Sequence, residues 1–313
     1  MSRVLVTGAT GFIGTHTLAP LLSAGLEVHA LSARPAAAKL PREVAKEVSW
    51  HRADLLVPQA ASRLLSEVRP SHLLHLAWFT RPGAFWSAPE NLDWVAASLA
   101  LLRAFGEYGG RRAVLAGTCA EYSWGRHTHC VEDIATRRGT PTCPATLYGA
   151  AKHGLHVVAE GWARQAGVAL AWGRIFHLYG PGERPERLVA GVARALLRGE
   201  PAPCTPGAQV RDFLYAPELG AAFAALLRSE VTGSLNMASG EPVSVAEVVS
   251  AVAVAAQRPE LLRLGALPGN PAEPERLTAD VGRLREEVGW APSLDLREGA
   301  RLTVSWWRQA LLA

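Results

Sequence analysis

The sequence predicts an α/β fold: a doubly wound parallel sheet with a smaller, irregular α/β domain on its C-terminal side. Three observations point there. Short apolar runs alternate with amphipathic helical stretches through residue 176, the pattern of parallel strands joined by helical crossovers. The first apolar run ends in a glycine-rich turn, VTGATGFIG. Beyond Phe176 the alternation breaks into segments punctuated by proline and glycine.

The elements follow in order. RVLVTG (3–8) is an apolar run closed by glycine and predicts a buried first strand. GFIGTHTLAPLLSAG (11–25) continues as a helix, and EVHALSA (27–33) is the second strand. VSWHRAD (48–54) is the third, QAASRLLSEV (59–68) is helical, and SHLLHLAW (71–78) is the fourth strand. A long helix spans 91–109, the strand RAVLAGT covers 112–118, a helix spans 147–166, and VALAWGRIF (168–176) closes the regular pattern. Farther on, LNMAS (235–239) reads as a short strand, and 244–257 and 297–312 read as helices, the last packing through Trp306 and Trp307. Residues 1–176, with a return segment at about 210–234, are assigned to the first domain, and 177–209 and 235–313 to the second. The second is expected over the carboxyl ends of the strands, where open α/β sheets place ligands.

Composition narrows the function classes. At 313 residues, 49% hydrophobic and 19% charged, the chain has the make-up of a soluble globular protein. No apolar run reaches membrane-spanning length without meeting a charge or proline, and no secretory signal is read at the N-terminus. The net charge of +4 comes from scattered arginines, which argues against nucleic acid and suits an acidic small molecule. Four cysteines at irregular spacing form no disulfide framework, so a reducing, cytoplasmic setting is expected. RHTHC (126–130) offers His127, His129 and Cys130 as ligands but lacks a clear fourth, so no metal is expected.

Two motifs carry chemistry. Gly8, Gly11 and Gly14 stand between the first strand and the first helix. Residues without Cβ let backbone N–H groups approach phosphate oxygens, and the helix offers its positive end to a pyrophosphate. In TLYGAAKHG, Tyr148 and Lys152 lie one helical turn apart. An ordinary helix surface shows that spacing too. A phenol titrates near pH 10, and a neighbouring ammonium lowers that value toward useful acid/base chemistry.

Taken together, these motifs resemble the extended short-chain dehydrogenase/reductase family, and in particular its nucleotide-sugar epimerases, dehydratases and ketoreductases. HLAW (75–78), GTCAEY (117–122), RIFHLYGPG (174–182) and VRDFLYAPELGAAF (210–223) resemble further motifs of that family in the same order. The resemblance implies a Rossmann domain binding NAD(P) through Gly8, Thr10, Gly11, Phe12, Ile13 and Gly14. Asp54 and Leu55 would meet the adenine, with Leu76 and Ala77 beside the cofactor and Lys152 on the nicotinamide ribose. It further implies Tyr148 as general acid/base, with Thr118 donating a hydrogen bond to the same substrate oxygen. The family precedent also suggests a homodimer through helices 91–109 and 147–166.

Cofactor and substrate preferences are read from the departures. Ser32 and Arg34 end the second strand where NAD-preferring folds carry a carboxylate. A hydroxyl and a guanidinium suit a 2′-phosphate, so NADP(H) is favoured and NAD(H) remains possible. Cys119-Ala120 replaces the Asp-Glu pair of the family's 4,6-dehydratases, which argues against dehydration. His177 replaces the family's asparagine, and Trp94 stands where an asparagine is usual, with Asn91 one turn earlier. Trp78, Glu121, His177, Arg187 and Arg211 are the further substrate candidates, Arg211 foremost as the clamp for a diphosphate; Arg184, Phe79 and Trp86 are weaker ones, and the alternative for Glu121 is the cap of a loop. The expected activity is NADP(H)-dependent reduction of a keto group on a nucleotide-linked deoxysugar. The alternatives are a nucleotide-sugar 4-epimerase and a non-catalytic NADP-binding regulator.

Overall fold

The computed structural model describes residues 2–33, 41–132 and 139–312. The chain runs β1 (Arg3–Thr7), α1 (Phe12–Ser23), β2 (Glu27–Ser32), α2 (Arg42–Glu47), β3 (Ser49–Arg52), α3 (Ala60–Val68), β4 (His72–His75), α4 (Glu90–Glu107) and β5 (Arg112–Thr118). A 3₁₀ turn (Cys119–Glu121) leads to β6 (His127–Cys130), α5 (Leu147–Ala166), β7 (Ala169–Ile175), β8 (His177–Tyr179), α6 (Leu188–Leu197), β9 (Ala202–Pro203) and β10 (Val210–Tyr215). Then come α7 (Ala216–Arg228), β11 (Gly233–Met237), β12 (Pro242–Ser244), α8 (Val245–Ala256), β13 (Leu262–Arg263), β14 (Arg276–Ala279), α9 (Gly282–Glu286) and α10 (Leu296–Ala310).

Seven strands form one sheet in the order β11-β7-β5-β4-β1-β2-β3, and every neighbouring pair is parallel. The chain enters at β1, steps outward to β3, and returns to the other side of β1 as β4. That reversal opens a crevice at the carboxyl ends of β1 and β4, the ligand position of doubly wound sheets. One face is covered by α1 and α7, whose Leu18, Leu21, Leu219 and Phe223 join the apolar side chains of β1. The other is covered by α3, α4 and α5 through Leu65, Leu101, Phe105, Leu155 and Ala159. Burial on both faces is why these strands read as continuous apolar runs; all seven residues of β5 are buried. No described helix is long and apolar enough to cross a membrane.

The second unit has its own core. Val189, Ala193 and Leu196 of α6, Val248, Val249 and Val252 of α8, and Val304 and Trp307 of α10 pack together. Its sheet runs β12-β10-β14-β6, with β8 paired to β10. Side-chain caps set two of its helix starts: Ser244 and Glu247 form a capping box at α8, and Asp295 Oδ1 accepts from Glu298 N at 2.8 Å at α10.

Two boundaries differ from the sequence reading. Residues 235–237 belong to β11, the edge of the main sheet beside β7, and not to the second unit. Conversely β6 and β10 lie in the second sheet although their numbers fall within the first domain and its return segment. Both arise because these short strands are sorted by long-range pairing, which local periodicity does not report.

Candidate active site

The glycine turn is built around close approaches. Gly8 has φ +69°, and a Cβ there would lie 2.8 Å from Ala77 N. A Cβ on Gly14 would lie 2.1 Å from Gly8 O. Neither position tolerates a side chain, so the turn seats flush against the ends of β1 and β4. Gly11 begins α1 with no side-chain cap and no acidic residue in the first turn, which leaves the N–H groups of Phe12, Ile13 and Gly14 open to an anion. These features fit a dinucleotide pyrophosphate. At the tip of β2, Ser32 Oγ stands 3.0 Å from Thr10 Oγ1, so the second strand contacts the turn. Arg34 lies outside the described residues. Asp54 is exposed, with Oδ1 accepting from Leu56 N at 3.0 Å, and Leu55 is buried beside it.

At the end of β4 a chain of hydrogen bonds holds the crevice wall. Leu76 N and Ala77 N donate to Thr7 Oγ1 (3.2 and 3.3 Å). The Thr7 hydroxyl is thereby left to donate to His75 Nδ1 at 2.6 Å, and His75 Nε2 meets Ser98 Oγ at 2.8 Å. Burial, with Lys152 nearby, drives the His75 pKa down to about 3, so this imidazole is a neutral structural link.

Tyr148 sits in the first turn of α5, whose cap Thr146 accepts from Gly149 N at 3.1 Å. A Cβ on Gly149 would lie 2.3 Å from Ala120 O, so α5 begins directly against the 3₁₀ turn. That contact brings the Tyr148 hydroxyl to the Thr118 hydroxyl. The Tyr148 ring meets Phe85 and Trp86 edge-on, with centroids 5.0 and 5.9 Å away. One turn later Lys152 is buried: Nζ donates to Ala116 O at 2.7 Å and lies 3.8 Å over the Trp78 ring. Trp78 Nε1 is held by Asn91 Oδ1 at 2.8 Å.

The electrostatics correct one expectation. Lys152 does not dominate Tyr148, whose pKa is raised, because burial outweighs the hydrogen bond from Thr118 and the charge of Arg187. The phenol is therefore held in its proton-bearing form. Lys152 is itself depressed to about 7 by burial, which Glu121 partly opposes.

The substrate candidates separate. His177 Nδ1 is buried with no hydrogen-bond partner among the described residues, and burial together with Arg211 and Arg187 pushes the ring's pKa down to about 4. Arg211 is buried, donating to Val210 O at 3.0 Å and meeting Glu273 Oε2 at 3.4 Å. Its neighbour Asp212 is engaged by Ser239 and Gly240 instead. Arg187 is exposed at the start of α6, 5.5 Å from the Phe85 ring. Glu121, expected either to touch substrate or to cap a loop, is fully buried and caps the 3₁₀ turn through the main chain of Thr118, while Trp172 and Arg174 also donate to it. Its place in the 3₁₀ turn points it into the protein. Cys119 is buried, which lifts its thiol to about 12.

Sequence reasoning missed Phe85, Trp172 and Arg174 as neighbours of the site. Arg174 is visible there only as the first residue of a motif, and no spacing rule ties it to Glu121, 53 positions away. Glu121, His153 and His156 bring ligand atoms within 4.8 Å of one another. The Arg174 guanidinium already neutralises that carboxylate at 3.0 Å, and a divalent ion would stand against it. Of the histidines named earlier, His127 pairs with Glu275 and His129 with Thr278.

Residues 4–238 match the model of the NAD-dependent epimerase/dehydratase family. The chain belongs to this family. It is an enzyme of the extended short-chain dehydrogenase/reductase type. A dTDP-glucose 4,6-dehydratase of Xanthomonas campestris pv. campestris is 26% identical over 98% of this chain and 93% of its own. A UDP-glucose 4-epimerase of Azospirillum brasilense is 28% identical over 98% of this chain and 92% of its own. Among solved structures, the UDP-glucose 4-epimerase of Thermus thermophilus, in complex with NAD, superposes with a TM-score of 0.83. It is 31% identical and covers 98% of this chain and 99% of its own.

Proposed function

We propose that the enzyme interconverts a hydroxyl and a keto group on the sugar of a nucleotide-diphosphate sugar, and that its net reaction is 4-epimerisation. The observation that carries this is the convergence of Thr118, Tyr148 and Lys152 beside a glycine turn shaped for a dinucleotide. When bound, the dinucleotide supplies the hydride acceptor and donor at nicotinamide C4. Tyr148 gives its proton to the carbonyl oxygen in the reducing half-reaction and takes it back in the oxidising half. Thr118 hydrogen-bonds the same oxygen, and Lys152 would hold the ribose of the bound dinucleotide. Arg211 and His177 face the diphosphate region, with Arg187 at the rim and Trp78 beside the sugar. Dehydration lacks its acid/base pair, because Ala120 carries no proton and the Cys119 thiol, lifted to about 12, does not ionise at neutral pH.

A second reading is an NADPH-dependent ketoreductase acting on a deoxy-keto-sugar. It is favoured by Ser32 at the end of β2 and by Arg34 two positions later in the sequence, where a carboxylate would repel a 2′-phosphate. The cofactor that remains with the purified protein separates the two. Tightly held NAD, with interconversion of UDP- or dTDP-hexoses and no added cofactor, supports the epimerase. Protein purified empty that consumes NADPH with a keto-sugar nucleotide supports the reductase.

A homodimer through α4 and α5 accompanies both readings. Leu92 (61% exposed), Val157 (55%) and Val158 (52%) are exposed on these helices, and Leu92 rims an open apolar groove of 440 Å³ between them. Three buried free thiols, Cys119, Cys130 and Cys204, suit a reducing cytoplasm.

A further inference from the structure

We propose that Glu121 is a positioning residue that acts through Thr118 and never touches substrate. The inference rests on the reading of Thr118 as the hydrogen-bond donor to the reacting oxygen.

Glu121 Oε1 accepts from Thr118 N at 2.8 Å and from Trp172 Nε1 at 2.9 Å, and Oε2 accepts from Arg174 Nε at 3.0 Å. Four elements of the fold therefore meet at one carboxylate: the end of β5, the 3₁₀ turn, β7 at two points, and α5, whose His156 is 3.9 Å away. The clamp continues outward. Arg174 Nη1 donates to the Tyr122 hydroxyl at 3.0 Å, which donates to Asn236 Oδ1 at 2.8 Å. Asn236 Nδ2 in turn donates to Cys130 O and Asp280 O, both at 2.9 Å, tying the turn to the second sheet.

An independent feature indicates that the fold makes room for this clamp. Residue 117 is a glycine inside β5, where no positive φ requires one, yet a Cβ there would lie 2.1 Å from Trp172 Nε1 and 2.6 Å from Glu121 Oε1. Any larger residue would push the indole and the carboxylate apart.

The consequence falls on the Thr118 hydroxyl. Glu121 holds Thr118 N from one side, while Thr118 Oγ1 accepts from Ala120 N at 3.2 Å from the other. With its acceptor side engaged and its main chain fixed, the hydroxyl keeps its proton for the oxygen shared with Tyr148. A glutamine at 121 retains the shape but aims its amide N–H either at Thr118 N, losing that bond outright, or at Arg174, losing the ion pair that anchors the group holding Thr118 N.

The test is a double-mutant cycle in kcat between Glu121→Gln and Thr118→Ala, with the best-turned-over member of a UDP- and dTDP-hexose panel as probe. Dinucleotide affinity and Tm are followed to verify folding. Glu121→Gln is expected to lower kcat about 10-fold in the parent, with KM nearly unchanged, and to cost nothing further once Thr118 is alanine. If Glu121→Gln does not fold, Trp172→Phe, which removes one donor and leaves the ion pair, takes its place in the cycle with the same pattern expected. Equal losses in both backgrounds, or no loss in the parent, overturn the inference. A Thr118→Ala variant with undiminished kcat, or a panel with no substrate, overturns the underlying reading instead.

Discussion

Replacing Tyr148 by phenylalanine is expected to lower turnover by about 10²–10⁴-fold while dinucleotide affinity stays within a factor of about two. The hydroxyl is the only group removed. The ring keeps its edge contacts with Phe85 and Trp86, and the main chain keeps its bond from Tyr148 N to Trp86 O at 3.1 Å. The loss therefore reports the proton and not the packing. Burial raises the phenol's pKa, which favours proton retention before the reducing half-reaction and opposes proton abstraction in the oxidising half. Steady-state kinetics with dinucleotide titrations decide the matter. Undiminished turnover would remove Tyr148 from the chemistry and refute its assignment as the general acid/base.

Replacing Lys152 by methionine is expected to abolish most activity and, at the same time, to stabilise the fold. Methionine approaches the length of the stem but has no donor for the ribose, so kcat/KM should fall by about 10²-fold or more. The stability gain follows from linkage. The folded pKa of Lys152 is lowered from 10.5 to about 7, so between those values the unfolded chain binds a proton that the folded chain does not. Stability then rises with pH across that window, and the penalty of the buried ammonium is fully present below pH 7. The variant should melt on the order of 5 °C higher than the parent at pH 6. That advantage should shrink as the pH approaches that of the unperturbed lysine. A lower Tm at pH 6 would mean that the bond to Ala116 O and the Trp78 ring outweigh desolvation. Retained activity would contradict the assignment of the lysine.

The parts of the site legible in the sequence are those set by local spacing. Gly8, Gly11 and Gly14 announce a turn because each is separated by two residues and flanked by a strand and a helix. Tyr148 and Lys152 share a face because they sit one turn apart on α5. Six strands of the main sheet are legible for the related reason that buried parallel strands are continuous apolar runs; the seventh, β11, is not, because only its pairing with β7 places it there. What is not legible depends on contacts between distant segments. The strands β6, β8, β10, β12 and β14 are three to six residues long, and partners far along the chain define them. Glu121 reads equally as a substrate contact or a loop cap, because its distance from Thr118 in the chain says nothing of Trp172 and Arg174 behind it. The protonation of Tyr148 escapes the sequence for the same reason: the helix gives the distance to Lys152, but the desolvation comes from Phe85 and the rest of the wall.

The central claim is tested most directly by a crystal structure of the Tyr148→Phe variant with both dinucleotide and nucleotide sugar bound. The account predicts the nicotinamide C4 about 3–3.5 Å from the reacting sugar carbon, with the position of the missing hydroxyl and the Thr118 hydroxyl both directed at that carbon's oxygen. A ring at 148 turned to bulk solvent, or a sugar held on the far side of Trp78 from the pyridine, would contradict it.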